Sequence, residues 1–312
     1  MSSIVVSGDT SGSVTLSAPA IANTTVLTLP SVSGSVLTDQ SSLNYTGFKN
    51  RIINGAMGIW QRGTSFSVTG TQYMADRWFP NGQTYTGSQS TDVPSTSGTK
   101  YSLLVNSAIG SYGTLCQRIE STNSLDLVGN QVTLSFWLKI AVGSSSTLSL
   151  ILGYPTAVDN FTTVTTIQTL TIAPTSSWVK YTATFNALPS QVANGLQLIM
   201  YTDAVSACQT YYTGVQLEKG STATSFDYRP YGTELALCQR YYEIIAAAIT
   251  GSASTGNSNS FWFYKVTKRA TPSVTLVGST GATGANTLDF TSLFITNSTA
   301  NIGSGTYSSI EL

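Results

Sequence analysis

Gln131-Val-Thr-Leu-Ser-Phe-Trp-Leu-Lys-Ile-Ala-Val142 is the stretch of sequence that decides the fold. Its apolar side chains stand at every second position, at 132, 134, 136, 138 and 140, whereas Thr133, Ser135 and Lys139 occupy positions between them. Because successive side chains of a β-strand point to opposite faces, this alternation is typical of a half-buried strand. Trp137 interrupts the polar face, so its ring must meet a ligand, another subunit or a covering loop.

Short runs of the same kind recur along the chain, separated by clusters of Gly, Ser, Asn and Pro. They lie at 101–105, 166–172, 178–185, 196–201 and 211–217. Helical periodicity is almost absent from the same region. Many short antiparallel strands with this spacing usually form a sandwich, so the sequence predicts an all-β fold built on a β-sandwich.

The first 47 residues differ from the rest of the chain. Two short β-like pieces, at 12–16 and 25–29, are separated by Pro and Gly, and they carry too little apolar surface for an independent core. A segment that cannot bury itself alone either stays flexible or completes its core against other chains. We therefore expect residues 1–47 to be an extended segment that joins identical chains and attaches them to other proteins of the assembly.

The last part of the chain is predicted to begin with a short helix over 234–242. Thr233 is a suitable N-cap, and Glu234 places a negative charge in the first turn, where it suits the helix dipole. Strand-like runs follow at 260–266, 273–277 and 292–296. The predicted domains are therefore an attachment segment at 1–47, a β-sandwich at 48–232, and the helix with a small β domain at 233–312.

Composition excludes several classes of partner. Charged residues make up 9% of the chain, and 14 basic side chains balance 14 acidic ones. A neutral chain does not attract nucleic acid or anionic membranes through counterion release, so we expect neither partner. No run approaches the roughly 18 apolar residues of a membrane span. Met1-Ser2-Ser3 shows no signal peptide, so synthesis in a cytoplasm without membrane insertion is expected.

Catalysis and cofactor binding have little support in the composition. The chain has no histidine, which removes the commonest general base and zinc ligand. Cys116, Cys208 and Cys238 are too far apart for a CxxC metal site or a disulfide framework, and we expect them to be buried. Two carboxylates, such as Asp76 and Glu120, would suffice for glycoside cleavage if they were held across a sugar. Nothing in the sequence marks such a pair, so we expect no enzymatic activity and no cofactor.

Two strings of sequence resemble bacteriophage tail-fibre proteins. The first is Phe48-Lys-Asn-Arg-Ile-Ile-Asn-Gly-Ala-Met-Gly-Ile-Trp-Gln-Arg-Gly63, followed by Tyr73-Met-Ala-Asp-Arg-Trp78. The second is Gly214-Val-Gln-Leu-Glu-Lys-Gly220, followed by Phe226-Asp-Tyr-Arg-Pro-Tyr231. With similar pieces at both ends, the resemblance covers nearly the whole chain. It implies a virion appendage on the tail or the capsid, a homotrimer of chains that are made in the host cytoplasm.

A second resemblance concerns the predicted sandwich. Residues 101–139 and Trp178-Val-Lys-Tyr181 are similar to jelly-roll carbohydrate-binding modules. This resemblance implies a jelly roll in which sugars stack on exposed aromatic rings and the fold itself performs no chemistry, although fold alone does not establish function. The same analogy allows a structural calcium ion. The sequence contains no Asp-rich loop of the EF-hand type, so its metal ligands are unknown.

The candidate ligand-binding residues combine aromatic rings with hydrogen-bonding neighbours. They are Trp60, Arg62, Asp76, Arg77, Trp78 and Trp137. A tryptophan ring matches the apolar face of a pyranose, and an adjacent Arg or Asp would bond to its hydroxyl groups. Packing in the core or between domains is the alternative for Trp60 and Trp78, because large aromatic side chains dominate core energetics.

The function predicted from the sequence is attachment of a virus to the glycans of a host-cell surface by multivalent binding. Linking weak sites raises apparent affinity by roughly 10²- to 10⁴-fold without any new contact. One alternative is a purely structural virion protein of the capsid or tail that binds no glycan. Another is a polysaccharide-degrading tailspike, but the long repetitive β-helix sequence expected of that class is missing.

Overall fold

The computed structural model describes residues 3–7, 11, 13–17, 48–82, 85–108, 113–142, 147–202, 207–245, 264–270, 272–276, 286–288, 293–295 and 306–309. The chain divides into two compact units, Met1–Ser42 and Leu43–Leu312. The predicted domain boundaries within the second unit stay a prediction.

The first unit contains an antiparallel hairpin of strands β1 (Ser3–Ser7) and β2 (Ser13–Ser17). β2 corresponds to the strand-like piece expected at 12–16, while the piece expected at 25–29 lies outside the described residues. The side chain of Val5 is 57% exposed on this hairpin. Two strands alone are only marginally stable in water, and the expectation that residues 1–47 join identical chains stays a prediction.

The second unit is built around a sandwich of ten strands. In chain order they are β3 (Ser65–Val68), β4 (Tyr85–Ser90), β5 (Ser102–Ser107), β6 (Gly113–Ile119), β7 (Val132–Val142), β8 (Leu148–Ala157), β9 (Asn160–Ile172), β10 (Val179–Phe185), β11 (Leu196–Thr202) and β12 (Cys208–Lys219). They form a six-stranded sheet, in the order β10-β7-β12-β5-β4-β3, and a four-stranded sheet, in the order β6-β11-β8-β9.

All strand pairs within these two sheets are antiparallel. From β5 onward the chain passes repeatedly from one sheet to the other, with only β8 and β9 paired as neighbours. Short helices connect some of the strands: α1 (Ser121–Ser124) and two 3-10 helices, Leu125–Leu127 and Ser190–Asn194. The predicted jelly-roll β-sandwich is confirmed.

The core lies between the two sheets and follows the alternation seen in the sequence. On β7, Leu134, Phe136 and Leu138 are fully buried, and they belong to one cluster with Leu150 of β8 and Leu198 of β11. Burying each such side chain contributes roughly 1.5–3 kcal/mol relative to leaving it exposed. The strand that decides the fold is therefore also one of its most apolar elements.

The segment 48–79 precedes most of the sandwich and is fixed by a buried asparagine. The Asn54 side chain donates to the Ile59 and Asp76 carbonyl oxygens, at 2.9 and 3.0 Å, and accepts from the Ile59 amide at 2.9 Å. Gly55 beside it packs against β12 so closely that a Cβ would lie 2.0 Å from the Val215 carbonyl oxygen. Only glycine fits this close approach of two backbones.

The predicted helix exists, but its bounds differ from those expected. Helix α2 spans Tyr231–Gln239, with Pro230 at the N-cap and no side-chain cap, so the prediction that Thr233 is the cap was wrong. Proline suits the start of a helix because its missing N–H would have no partner there. Glu234 lies in the first turn, as expected. The helix ends before Tyr242, which begins a strand.

The C-terminal part contains short strands, as predicted. β13 (Tyr242–Ile245), β14 (Ser273–Leu276) and β17 (Thr306–Ser309) form a sheet in the order β13-β17-β14, and β15 (Asn286–Leu288) pairs with β16 (Leu293–Ile295). Of the strand expected at 260–266, residues 260–263 lie outside the described residues and 264–266 are not a strand. Among the described residues, no helix has the length and apolar character that crossing a membrane requires.

Candidate functional site

Three of the predicted ligand-binding residues lie in the core. Asp76 and Arg77 are 1% exposed, and Trp78 is fully buried with its indole N–H donating to the Asn54 carbonyl oxygen at 3.0 Å. None of these three side chains is accessible to a sugar in this structure. Trp78 packs in the core, which was the alternative role considered for it. The sequence could not show this, because the same residue types serve a core and a sugar shelf.

The buried arginine joins the segment 48–79 to the end of helix α2. The Arg77 guanidinium donates to the Arg118 carbonyl oxygen at 2.6 Å and stacks 3.5 Å from the centroid of the Tyr241 ring. Burial raises the pKa of Tyr241 well above its usual range, so this hydroxyl stays neutral. A cation over an aromatic face in a desolvated place is worth about 2 kcal/mol.

Asp76 and Arg62 extend the same junction. The Asp76 carboxylate accepts from the Gln61 amide at 3.1 Å and from the Arg62 guanidinium at 3.5 Å. Arg62 also lies 3.5 Å from the centroid of the Tyr242 ring. Arg62, Asp76 and Arg77 therefore hold two distant parts of the sequence together. Of these three side chains, only that of Arg62 is partly exposed.

Trp60 lies in a different environment, on the wall of an open cavity. This cavity, the aromatic groove, has a volume of about 500 Å³. Aromatic rings and uncharged polar groups dominate its lining: Trp60, Tyr101, Tyr228, Tyr231, Thr64, Gln89 and Thr99, with Lys100 and the small residues Ala56, Gly58 and Gly98. The structure thus places one predicted residue, Trp60, among three tyrosines that the sequence analysis did not single out.

Packing fixes the orientation of two of the groove's rings, those of Trp60 and Tyr228. Trp60 stacks on Phe66, with ring centroids 6.4 Å apart, and its indole N–H donates to the Met57 carbonyl oxygen at 2.7 Å. The Tyr228 ring meets Phe226 edge to face at 5.1 Å. Tyr231 stands at the first position of α2 and is 68% exposed. Rings held in place by neighbours lose little conformational entropy when a ligand stacks on them.

A smaller cavity of about 150 Å³ adjoins the aromatic groove and shares Tyr228 and Tyr231 with it. Its charged lining residues bond within the fold. Glu234 pairs with Arg229 at 3.2 Å, and Asp227 accepts from the Asn50 amide at 3.2 Å. These groups position the segment that carries Tyr228 and Tyr231.

Trp137 lies on the other side of β7 from the core and is half-buried. Its register partners are Lys180 on β10 and Thr213 on β12. Gly214, at φ +61°, leaves room for the ring, because a Cβ there would come within 3.1 Å of the Trp137 Cδ1 atom. The ring thus packs in part on a neighbouring strand, and its predicted role in ligand binding stays a prediction.

A second group of aromatic side chains lies near Trp137 on the same face. This group, the Trp178 cluster, consists of Trp178, Tyr211, Lys139 and Asp92. The Lys139 ammonium lies 5.4 Å from the Trp178 ring and 4.8 Å from the Tyr211 ring, and it forms an ion pair with Asp92. The Trp178 indole donates to the same carboxylate at 2.9 Å. Partial burial alone would raise the pKa of Asp92, but hydrogen bonds from Lys139 and Trp178 hold this pKa below its usual value.

The carboxylates that were considered for glycoside cleavage are also bound within the fold. Glu120 is 3% exposed and pairs with Arg240 at 3.0 Å, and Asp76 is enclosed as described above. The three cysteines are buried, as expected. Among the described residues, no group of three or more His, Cys, Asp or Glu side chains is arranged to hold a metal ion.

Comparisons with known proteins give likenesses of structure alone. No known protein family and no curated protein matches the sequence significantly. The enzymatically active domain of tailspike protein 4 from bacteriophage CBA120 is similar at 16% identity and a TM-score of 0.39, over 55% of this chain and 21% of that one. The chain therefore spans only a small part of that tailspike domain's length.

Carbohydrate-binding modules are similar over most of their own length. A CBM4 module aligns at 16% identity and a TM-score of 0.34, over 53% of this chain and 97% of that one. A CBM22 xylan-binding domain from Paenibacillus barcinonensis aligns at 16% identity and a TM-score of 0.32, over 51% and 94%. At these identities and TM-scores, the matches do not establish what this chain binds.

Proposed function

We propose that this protein is a non-enzymatic subunit of a virion appendage, a tail fibre or tip, which attaches to glycans of the host-cell surface through the aromatic groove. The observation that carries the proposal is the groove itself, where four aromatic rings from three segments of the chain line one cavity. Its volume of about 500 Å³ lies within the roughly 300–1,000 Å³ that is usual for ligand sites.

The chemistry of the lining suits a sugar. A pyranose has an apolar face of C–H groups and a rim of hydroxyls, so it stacks on aromatic rings and bonds at its edge to uncharged donors and acceptors. Tyr228 and Tyr231 are 53% and 68% exposed and offer free ring surface. Thr64 and Gln89 add a hydroxyl and an amide to the lining. Such a site needs no chemical step and no cofactor.

The sequence strings that resemble tail fibres contribute three of the groove's four aromatic rings. Trp60 belongs to the string 48–63, and Tyr228 and Tyr231 belong to the string 226–231. The proposal includes the predicted homotrimer, joined and attached to other virion proteins through residues 1–47. Three linked sites would turn weak binding into firm attachment.

Replacement of an exposed groove ring tests the proposal. In Tyr231→Ala, loss of the stacking surface should weaken glycan binding about three- to tenfold, because an aromatic contact is worth about 0.5–1.5 kcal/mol. The measurement is binding of the purified protein to a glycan array and to host cells. Val158→Ala is the matched control, since Val158 is 64% exposed in the turn between β8 and β9, outside the groove.

Both variants should melt at nearly the wild-type temperature, because both side chains are exposed. Binding that survives unchanged in Tyr231→Ala would remove the groove as the site and direct attention to Trp137 and the Trp178 cluster. Absence of binding to any glycan or host cell would leave the purely structural virion protein as the better description.

A further inference from the structure

One lining residue of the aromatic groove differs from the others in charge. Lys100 is exposed and is the only charged side chain among the described residues that line the groove. Its ammonium lies 5.1 Å from the centroid of the adjacent Tyr101 ring. No carboxylate forms an ion pair with it among the described residues. A lone cation beside an aromatic surface is a site that favours an anion.

The turn that presents Lys100 is firmly built. The Ser97 amide and hydroxyl both donate to the Pro94 carbonyl oxygen, at 3.0 and 2.7 Å, and the Ser97 hydroxyl lies 2.8 Å from the Thr99 hydroxyl. Gly98 adopts a left-handed φ of +69°, and a Cβ there would touch the Tyr228 hydroxyl at 3.0 Å. The backbone of this turn is therefore held against one wall of the groove, and the flexible side chain of Lys100 starts from a fixed backbone position beside it.

Other charges near the groove are already engaged. Asp92, earlier in the same loop, is bound by Lys139 and Trp178. Asp227 and Glu234 line the adjoining cavity, where Asp227 accepts from a backbone amide and Glu234 pairs with Arg229. In a chain with only 9% charged residues, few other side chains oppose or screen the ammonium of Lys100.

We propose that the aromatic groove selects anionic glycans, in which an acidic sugar stacks on the aromatic rings and its anionic group pairs with Lys100. This inference rests on the proposed glycan binding and names the chemical class of the ligand. A carboxylate, as in a uronic acid, and a sulfate ester would both satisfy the ammonium, and the experiment separates these two sources of charge.

The test compares matched glycans with and without their charge. The probes are polygalacturonate, hyaluronate and a sulfated galactan, each beside its carboxyl-reduced or desulfated form, on one array with neutral glycans. We expect the charged forms to bind more tightly than their neutral counterparts. Lys100→Gln should weaken binding of the charged forms about two- to fivefold, bind the neutral forms like wild type, and lose the wild-type decrease of affinity with added salt.

Lys265→Gln is the matched control, because Lys265 is exposed and lines neither the aromatic groove nor the adjoining cavity. Equal binding of charged and neutral forms, or an unchanged Lys100→Gln, would overturn the selection of anionic glycans. If Tyr231→Ala still weakens binding in that case, the proposed glycan binding stands. Absence of binding to every glycan by the wild-type protein would overturn the proposed function and this inference together.

Discussion

At the scale of single residues, burial separates the predicted site residues into two groups. Trp60 and Trp78 both lie in the part of the sequence that resembles tail-fibre proteins, yet Trp78 is fully buried and Trp60 lines the aromatic groove. The alternation that predicts strand faces does not apply to the segment 48–79, which is irregular apart from β3. Because the direction of each ring depends on contacts such as those of Asn54, the sequence could name both residues but could not tell which one is accessible.

Gly55 and Gly58 provide a matched test of the packing of this segment. In Gly55→Ala the new Cβ would lie 2.0 Å from the Val215 carbonyl oxygen, whereas at Gly58 no atom lies within 4 Å of the same position. We expect Gly55→Ala to lower the free energy of unfolding by about 1–3 kcal/mol and Gly58→Ala to leave it nearly unchanged. Urea unfolding of the two variants measures the difference. Equal stability would mean that the segment is not docked on β12 as described.

At the scale of elements, six of the ten sandwich strands were predicted from alternation, whereas β3, β4, β6 and β8 and the ends of the helix were not. The strand over 132–142 follows from alternation alone, since a register slip would move its whole apolar set to the wrong face. Helix α2 begins at Tyr231 because proline at 230 supplies a suitable start, whereas Thr233 offered only a generic capping side chain. The helix-forming sequence thus predicted that a helix exists, whereas its bounds depend on flanking residues such as Pro230.

The ion pair between Glu120 and Arg240 ties the end of α2 to the sandwich and predicts an acid-sensitive contribution to stability. Burial alone would raise the pKa of Glu120, but hydrogen bonds from Arg240 outweigh it and lower the pKa below that of an unfolded glutamate, about 4.3. The stabilisation is therefore fully present above about pH 4.3 and is lost as the pH falls through the lower folded-state value.

Glu120→Gln tests this contribution. Above about pH 5 the variant should be less stable than wild type by about 1–3 kcal/mol, because it lacks a hydrogen-bonded charge beside Arg240. The gap should narrow as the pH falls below about 4, when wild-type Glu120 becomes protonated. Urea unfolding across this pH range gives both curves. A gap that stays constant with pH would show that the charge of Glu120 does not stabilise the fold.

At the scale of the whole molecule, the fold was accessible to sequence reasoning and the groove largely was not. Its rings come from three places, Trp60, Tyr101 and the pair Tyr228 and Tyr231, which lie as much as 171 positions apart in the sequence. No periodicity links such distant positions. The resemblance to tail fibres pointed to the first and last of these places, but only the folded chain shows that they face one cavity.

Removal of the first unit, Met1–Ser42, tests the proposal that the N-terminal segment joins the chains while the aromatic groove binds glycan. A chain of residues 43–312 keeps the complete sandwich core and groove, so it should remain folded and bind glycan as a monomer. Its apparent affinity for host cells should fall by roughly 10²- to 10⁴-fold when avidity is lost. Light scattering and cell-binding assays measure both effects. A trimer that persists without residues 1–42 would place the oligomer contacts elsewhere.

The position of the groove's residues along the chain also has a consequence for biosynthesis. Trp60 leaves the ribosome early, but Tyr228 and Tyr231 follow only after every strand of the sandwich has been translated. A nascent or prematurely terminated polypeptide therefore has an unfinished groove. Under the proposed function, particles that incorporated such a fragment would not adhere, and adhesion through this groove would also report that translation of the sandwich was completed.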